Sequence, residues 1–117
     1  MPDSMLEFRW NRTLNQLGRL IGKRPENLDT VLFLIGVQEL GQGVRRFSKE
    51  EKQDLMHIAV CRLLSKAQVY KLVGRDAQGW PQWQRIGDIP YMNLEQQEQI
   101  LKEYAIEYFI DEGILSE

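Results

Sequence analysis

Apolar residues return at helical spacing near the start of the chain. Leu6, Trp10, Leu14, Leu17 and Ile21, with Thr13 beside them, fall on one stripe, the mark of an amphipathic helix. Ser4-Met-Leu-Glu7 fits a capping box, in which the Ser hydroxyl and the Glu carboxylate satisfy two backbone donors. A first helix is therefore expected over about Met5–Ile21, ended by Gly22 and Pro25. Residues 28–40 show no stripe. Val31-Leu-Phe-Leu-Ile-Gly-Val37 is apolar on every face, and a buried strand would look the same. A helix over Leu28–Leu40 is favoured: Asn27 can cap it, Asp29 sits in its electropositive first turn, and Gln38-Glu-Leu40 extends it past strand length. A helix apolar all round is enclosed or lies at a subunit contact. Gly36 inside it costs about 1 kcal/mol against Ala, which points to a close helix approach. Gly41-Gln-Gly43 stops the helix.

Ser48-Lys-Glu-Glu51 is a second capping box. Leu55, Met56, Ile58, Ala59, Val60, Leu63, Leu64 and Ala67 then form a wide stripe, predicting a third helix over about Lys49–Lys66. The period next changes. Val69–Val73 and Trp80–Ile86 flank Asp76-Ala-Gln-Gly79, which suits a type I turn followed by a left-handed residue. A β-hairpin follows, with Asp76 opposite Trp80, Val73 opposite Trp83 and Tyr70 opposite Ile86. That register puts Tyr70, Leu72, Trp80 and Ile86 on the helix-facing side and Trp83 on the other, with Lys71, Arg75 and Arg85. Pro81 makes its strand an edge. Asn93-Leu-Glu-Gln96 caps a last helix over about Leu94–Ile110, with Leu94, Leu101, Tyr104, Ala105 and Tyr108 as its stripe and Gly113 closing it. The expected fold is mainly α (α+β): a compact four-helix domain, residues 1–117, with one β-hairpin between the third and fourth helices.

Composition narrows the function classes. The 117 residues carry 15 Lys and Arg against 17 Asp and Glu. That balance suits one soluble domain and not a dedicated nucleic-acid binder, although Arg9, Arg12, Arg19, Lys23 and Arg24 cluster. One Cys excludes an intramolecular disulfide and a Cys-only zinc site. The N-terminus does not read as a signal peptide, and no apolar run approaches the roughly 20 residues that span a bilayer. A cytoplasmic protein with no membrane partner is expected, with Cys61 a reduced core thiol. Charge is uneven. Residues 1–62 hold ten basic and eight acidic side chains, whereas residues 93–117 hold Lys102 against seven acidic ones. The two ends could attract each other, within a chain or between subunits, or the last helix could simply present a solvated acidic face.

Val31-Leu-Phe-Leu-Ile-Gly-Val-Gln-Glu-Leu-Gly41, Asp54-Leu-Met-His-Ile-Ala59 and Asp76-Ala-Gln-Gly-Trp-Pro81 resemble segments of a set of short Bacteroidetes proteins without an assigned activity. The resemblance covers about residues 14–109. It implies a stand-alone cytoplasmic bacterial protein and carries no site residue across.

Four constellations are candidates for chemistry or contact. Gly41, Gly43, Arg45, Arg46 and Ser48 could present backbone amides, guanidiniums and a helix N-terminus to an anion, though neither a P-loop nor a dinucleotide fingerprint is present; an inter-helix turn with solvated Arg is the plainer reading. Asp54 and His57, three apart, with Glu103 and Glu107 on the last helix, are the weak candidates for a metal site; the full Glu-x-x-His pattern of di-iron bundles is absent. His57 and Cys61, four apart, would need a thiolate to act as a nucleophile pair, and a buried Cys is usually inert. Trp80, Trp83 and Arg85 on the edge strand are candidates for a protein contact. The reading that follows is a non-catalytic interaction or adaptor domain, as a homodimer or with another protein, and without a cofactor. The alternatives are an anionic-ligand binder using the Gly41–Arg46 turn and a metal-dependent enzyme.

Overall fold

The computed structural model describes residues 4–89 and 92–116. Among them are four α-helices and one two-stranded antiparallel sheet: α1 (Ser4–Ile21), α2 (Leu28–Leu40), α3 (Lys49–Leu64), β1 (Tyr70–Arg75), β2 (Pro81–Arg85) and α4 (Leu94–Asp111). The fold class is the expected one, and residues 28–40 are helix. The contacts group into two compact units. One holds α1 and α4; the other holds α2, α3 and the hairpin.

In the first unit α1 packs on α4. Leu6, Trp10, Thr13, Leu14 and Leu17 are the buried positions of α1, and Ala105, Ile106, Tyr108 and Phe109 those of α4. The ion pair that joins the helices reverses the charge asymmetry of the chain. Lys102 Nζ of the acidic segment lies 3.2 Å from Glu7 Oε1 of the basic one, and 5.6 Å from the centre of the Trp10 ring. Glu7 is thus a tertiary partner. Ser4 is already the first helical residue, so the cap position before it lies outside the described residues. After α1 the chain doubles back: Arg24 donates to Asn15 Oδ1 at 2.8 Å and Asn11 Oδ1 at 3.1 Å. Asn93 and Gln96 form the expected capping box of α4. Its end is a Schellman motif, with Gly113 left-handed (φ 72°), Gly113 N–H donating to Ile110 O and Ile114 N–H to Phe109 O.

In the second unit α2 meets α3 at Gly36, where an added Cβ would collide with the Leu55 carbonyl. The glycine permits the close approach its position suggested. Leu40, Phe47 and Leu55 form a buried cluster, with Phe33, Val37 and Trp80 against it. Ser48 Oγ accepts from Glu51 N–H while the Glu51 carboxylate accepts from Ser48 N–H, closing the expected capping box of α3. The last turn predicted for α3 tightens instead into a 3-10 turn, Ser65–Ala67.

The hairpin corrects the expected register. Arg75 pairs with Pro81 and Gly74 with Gln82, consistent with Asp76 opposite Trp80; beyond them Leu72 pairs with Trp83 and Tyr70 with Arg85. Val73 is the extra residue of a bulge, made possible by Gly74 at φ 142°. One inserted residue exchanges the faces of everything beyond it. Ile86, expected inward, is therefore half-exposed, and Trp83, expected outward, is partly buried.

Candidate functional site

The arrangement most able to bind something lies in the second unit, between α3 and β2. A groove of about 520 Å3 is lined on the helix side by Glu51, Asp54, His57 and Ile58. Spacings of three and four residues put these on one face of α3. The hairpin supplies Asp76 and Gln78 from its turn, then Trp80, Pro81, Gln82 and Trp83.

The turn is fixed by its own aspartate. Asp76 Oδ1 accepts from Gln78 N–H at 3.0 Å and Trp80 N–H at 2.9 Å, and Gly79 takes the expected left-handed conformation (φ 86°). Arg75 anchors the hairpin. Its guanidinium donates to Gly79 O at 2.8 Å, Glu39 O at 2.9 Å and Leu40 O at 3.4 Å. It therefore caps the negative end of α2, whose own last turn carries no basic residue. Gln42 Nε2 adds a bond to Gln78 O at 2.7 Å. The turn that supplies part of the groove is thus held by backbone-directed bonds rather than by side-chain packing alone.

Trp83 is the unusual member. It lines this groove and also a second hollow of about 470 Å3 beside Glu39, Arg62, Tyr70 and Leu72. Its Nε1–H is buried and has no acceptor among the described residues. A buried donor left unpaired costs about 1–3 kcal/mol, and native structures keep few of them. The sequence marks Trp83 as a contact candidate, but the expected register turns it away from the helices, so its burial is not foreseen. Gly74, inside a strand, was the available signal of a bulge.

The other expected constellations fare differently. Of the anion candidates, Ser48 Oγ is committed to Glu51 N–H. Arg45 lies 3.5 Å from Glu51 Oε2 and stacks 4.6 Å from the centre of the Phe47 ring. Gly41 and Gly43 are both left-handed, and Arg46 is exposed. The N-terminus of α3 is therefore occupied by its own carboxylate. The Ser48 N–H that Glu51 accepts holds this carboxyl below its ordinary value, with Arg45 adding to the effect. Arg85 donates to Gly87 O and pairs with Asp88 in solvent, apart from the groove. Asp54 and His57 share the groove, whereas Glu103 and Glu107 belong to the other unit. Among the described residues no three His, Cys, Asp or Glu gather as metal ligands would, so the metal quartet is not assembled.

Cys61 Sγ and His57 Nε2 do approach, at 3.5 Å. Burial pushes the thiol up to about 11, so it is protonated at neutral pH and not a nucleophile. The His57 ring meets Tyr70 edge-on at 6.3 Å between centroids. Among the described residues no helix is long and apolar enough to cross a membrane. Comparison with family models, with curated proteins and with solved structures finds no match to this chain.

Proposed function

We propose that this is a non-catalytic protein-interaction module whose docking surface is the groove between α3 and β2. The observation that carries the reading is the groove itself, walled on the hairpin side by Trp80 and Trp83. Trp is among the side chains most enriched at binding hot spots. Supporting it, the hairpin is a two-stranded sheet with an unpaired edge on each strand, the usual template for strand addition. Leu72, Val73 and Ile86 keep about half their surface exposed on the same hairpin.

Site-specific photo-crosslinking tests the reading. A photoreactive residue at Gln82, in the groove, should give a discrete adduct in cells, while one at the exposed Lys23 should not. Trp83→Ala should remove the Gln82 adduct. Equal labelling from both positions, or none from Gln82, would overturn the reading. An adduct of twice the chain mass would identify the partner as a second copy.

A further inference from the structure

The α1–α4 unit carries a groove of its own, of about 250 Å3. Met5, Phe8, Arg9 and Arg12 line it from α1, and Ile106 and Ile110 from α4. Its two rims differ in sign. Met5, Arg9, Arg12, Gln16 and Arg19 follow one another at spacings of three or four, so they share one face of α1. Arg9, Arg12 and Arg19 are exposed and have no hydrogen-bond or ion-pair partner among the described residues. On α4, Glu103 lies three residues before Ile106 and seven before Ile110, on the same face. It too is exposed and without a partner among the described residues, as is Glu95 about two turns earlier. The ion pair that joins the two helices, Lys102 to Glu7, leaves these charges untouched. Between the rims the surface is apolar: Met5 is 67% exposed and Phe8 65%.

A basic rim, an apolar middle and an acidic rim make a face that complements itself. A half-turn about the long axis of the groove lays α1 of one copy over α4 of the other, twice, as in the isologous contact of a two-fold dimer. A nucleic acid or an anionic lipid surface would satisfy the arginines but meet Glu103 as like charge. We infer that a second copy of this chain covers this face. The α1 and α4 helices of the two copies form a four-helix bundle, with Arg9 and Arg12 of each copy meeting Glu103 of the other and Met5 and Phe8 buried between. The inference is independent of the docking groove in the other unit, which the dimer carries twice, so that a partner with two docking segments gains avidity.

Sedimentation velocity of the full chain across micromolar concentrations tests this. The wild type should sediment as a dimer of the 13.8 kDa chain and dissociate as salt is added. Arg9→Glu combined with Arg12→Glu, and separately Glu103→Arg, should each raise the dimer dissociation constant roughly tenfold or more, because like charges then face each other. All three positions are exposed, so the variants keep their fold. An equimolar mixture of the two variants should restore the dimer, since every rim contact again joins opposite signs. A wild type that stays at 13.8 kDa, a dimer indifferent to both reversals, or a mixture that remains monomeric would overturn the inference.

Discussion

The two units are held together by different means. In the α1–α4 pair, side chains do the work: a stripe of Leu and Trp on α1 is buried, and Lys102 reaches Glu7 and Trp10. In the α2–α3–hairpin unit the backbone is a direct party. Gly36 meets the Leu55 carbonyl, Arg75 bonds three carbonyls, and Gln42 bonds a fourth. The first kind of assembly depends on volume and tolerates side-chain exchange of equal size. The second depends on backbone position, where one methyl group is too many.

The sharpest way to break this contrast is to delete volume from the first unit. Trp10→Ala should cost about 3–5 kcal/mol in urea unfolding; a loss below about 1 kcal/mol would mean that the stripe is not what holds α1. Gly36→Ala comes next. Helix propensity favours Ala by about 1 kcal/mol, yet the collision should outweigh it and leave a net loss of about 1–3 kcal/mol. A stabilised variant would show that α2 and α3 are not in backbone contact. Arg75→Met should cost about 1–2 kcal/mol and speed amide exchange in the last turn of α2, while Lys102→Met, losing a part-buried pair whose Glu7 end meets solvent, should cost about 1 kcal/mol.

The titrations are smaller. Glu51 sits below its ordinary 4.5 in the folded chain. The unfolded chain therefore binds the extra proton in that window, so stability is present above pH 4.5 and falls as pH drops through the lowered value. Glu51→Gln should flatten that acid limb. Cys61 runs the other way, from 9.0 up to about 11. Between those values the unfolded thiol loses its proton and the folded one keeps it, so stability falls as pH rises. Cys61→Ala should remove the slope, and the native thiol should react with a disulfide reagent at pH 8 only when urea opens the fold.

The same contrast explains what could be read from the chain in advance. α1, α3 and α4 announce themselves by stripes and by Ser48 and Asn93 caps, and α2 by Asn27, Asp29 and a length beyond a strand's. These are local signals, and they give the elements and their order. The register of the hairpin is equally local, but its signal is a single Gly74, and a regular ladder without the bulge puts Trp83 on the wrong face. The hold of Arg75 on α2 joins distant residues through three-dimensional packing, and no periodicity encodes it. The filling of the α3 N-terminus by Glu51 is written in the Ser48–Glu51 capping box, which competes with an open anion site. The groove therefore drew only part of its members from the sequence: Asp54, His57, Trp80 and Trp83 were singled out, but for separate purposes and not as one surface.

The guanidinium of Arg75 has one more consequence. Because it bonds the carbonyls of Glu39 and Leu40 together with that of Gly79, the end of a helix and the tip of a hairpin far along the chain cannot loosen independently without breaking part of one shared set of bonds. Fluctuations of the two should rise and subside as one event. Anything that stiffens the strands by lying along them would then be felt, through a single side chain, as slower exchange at the foot of α2.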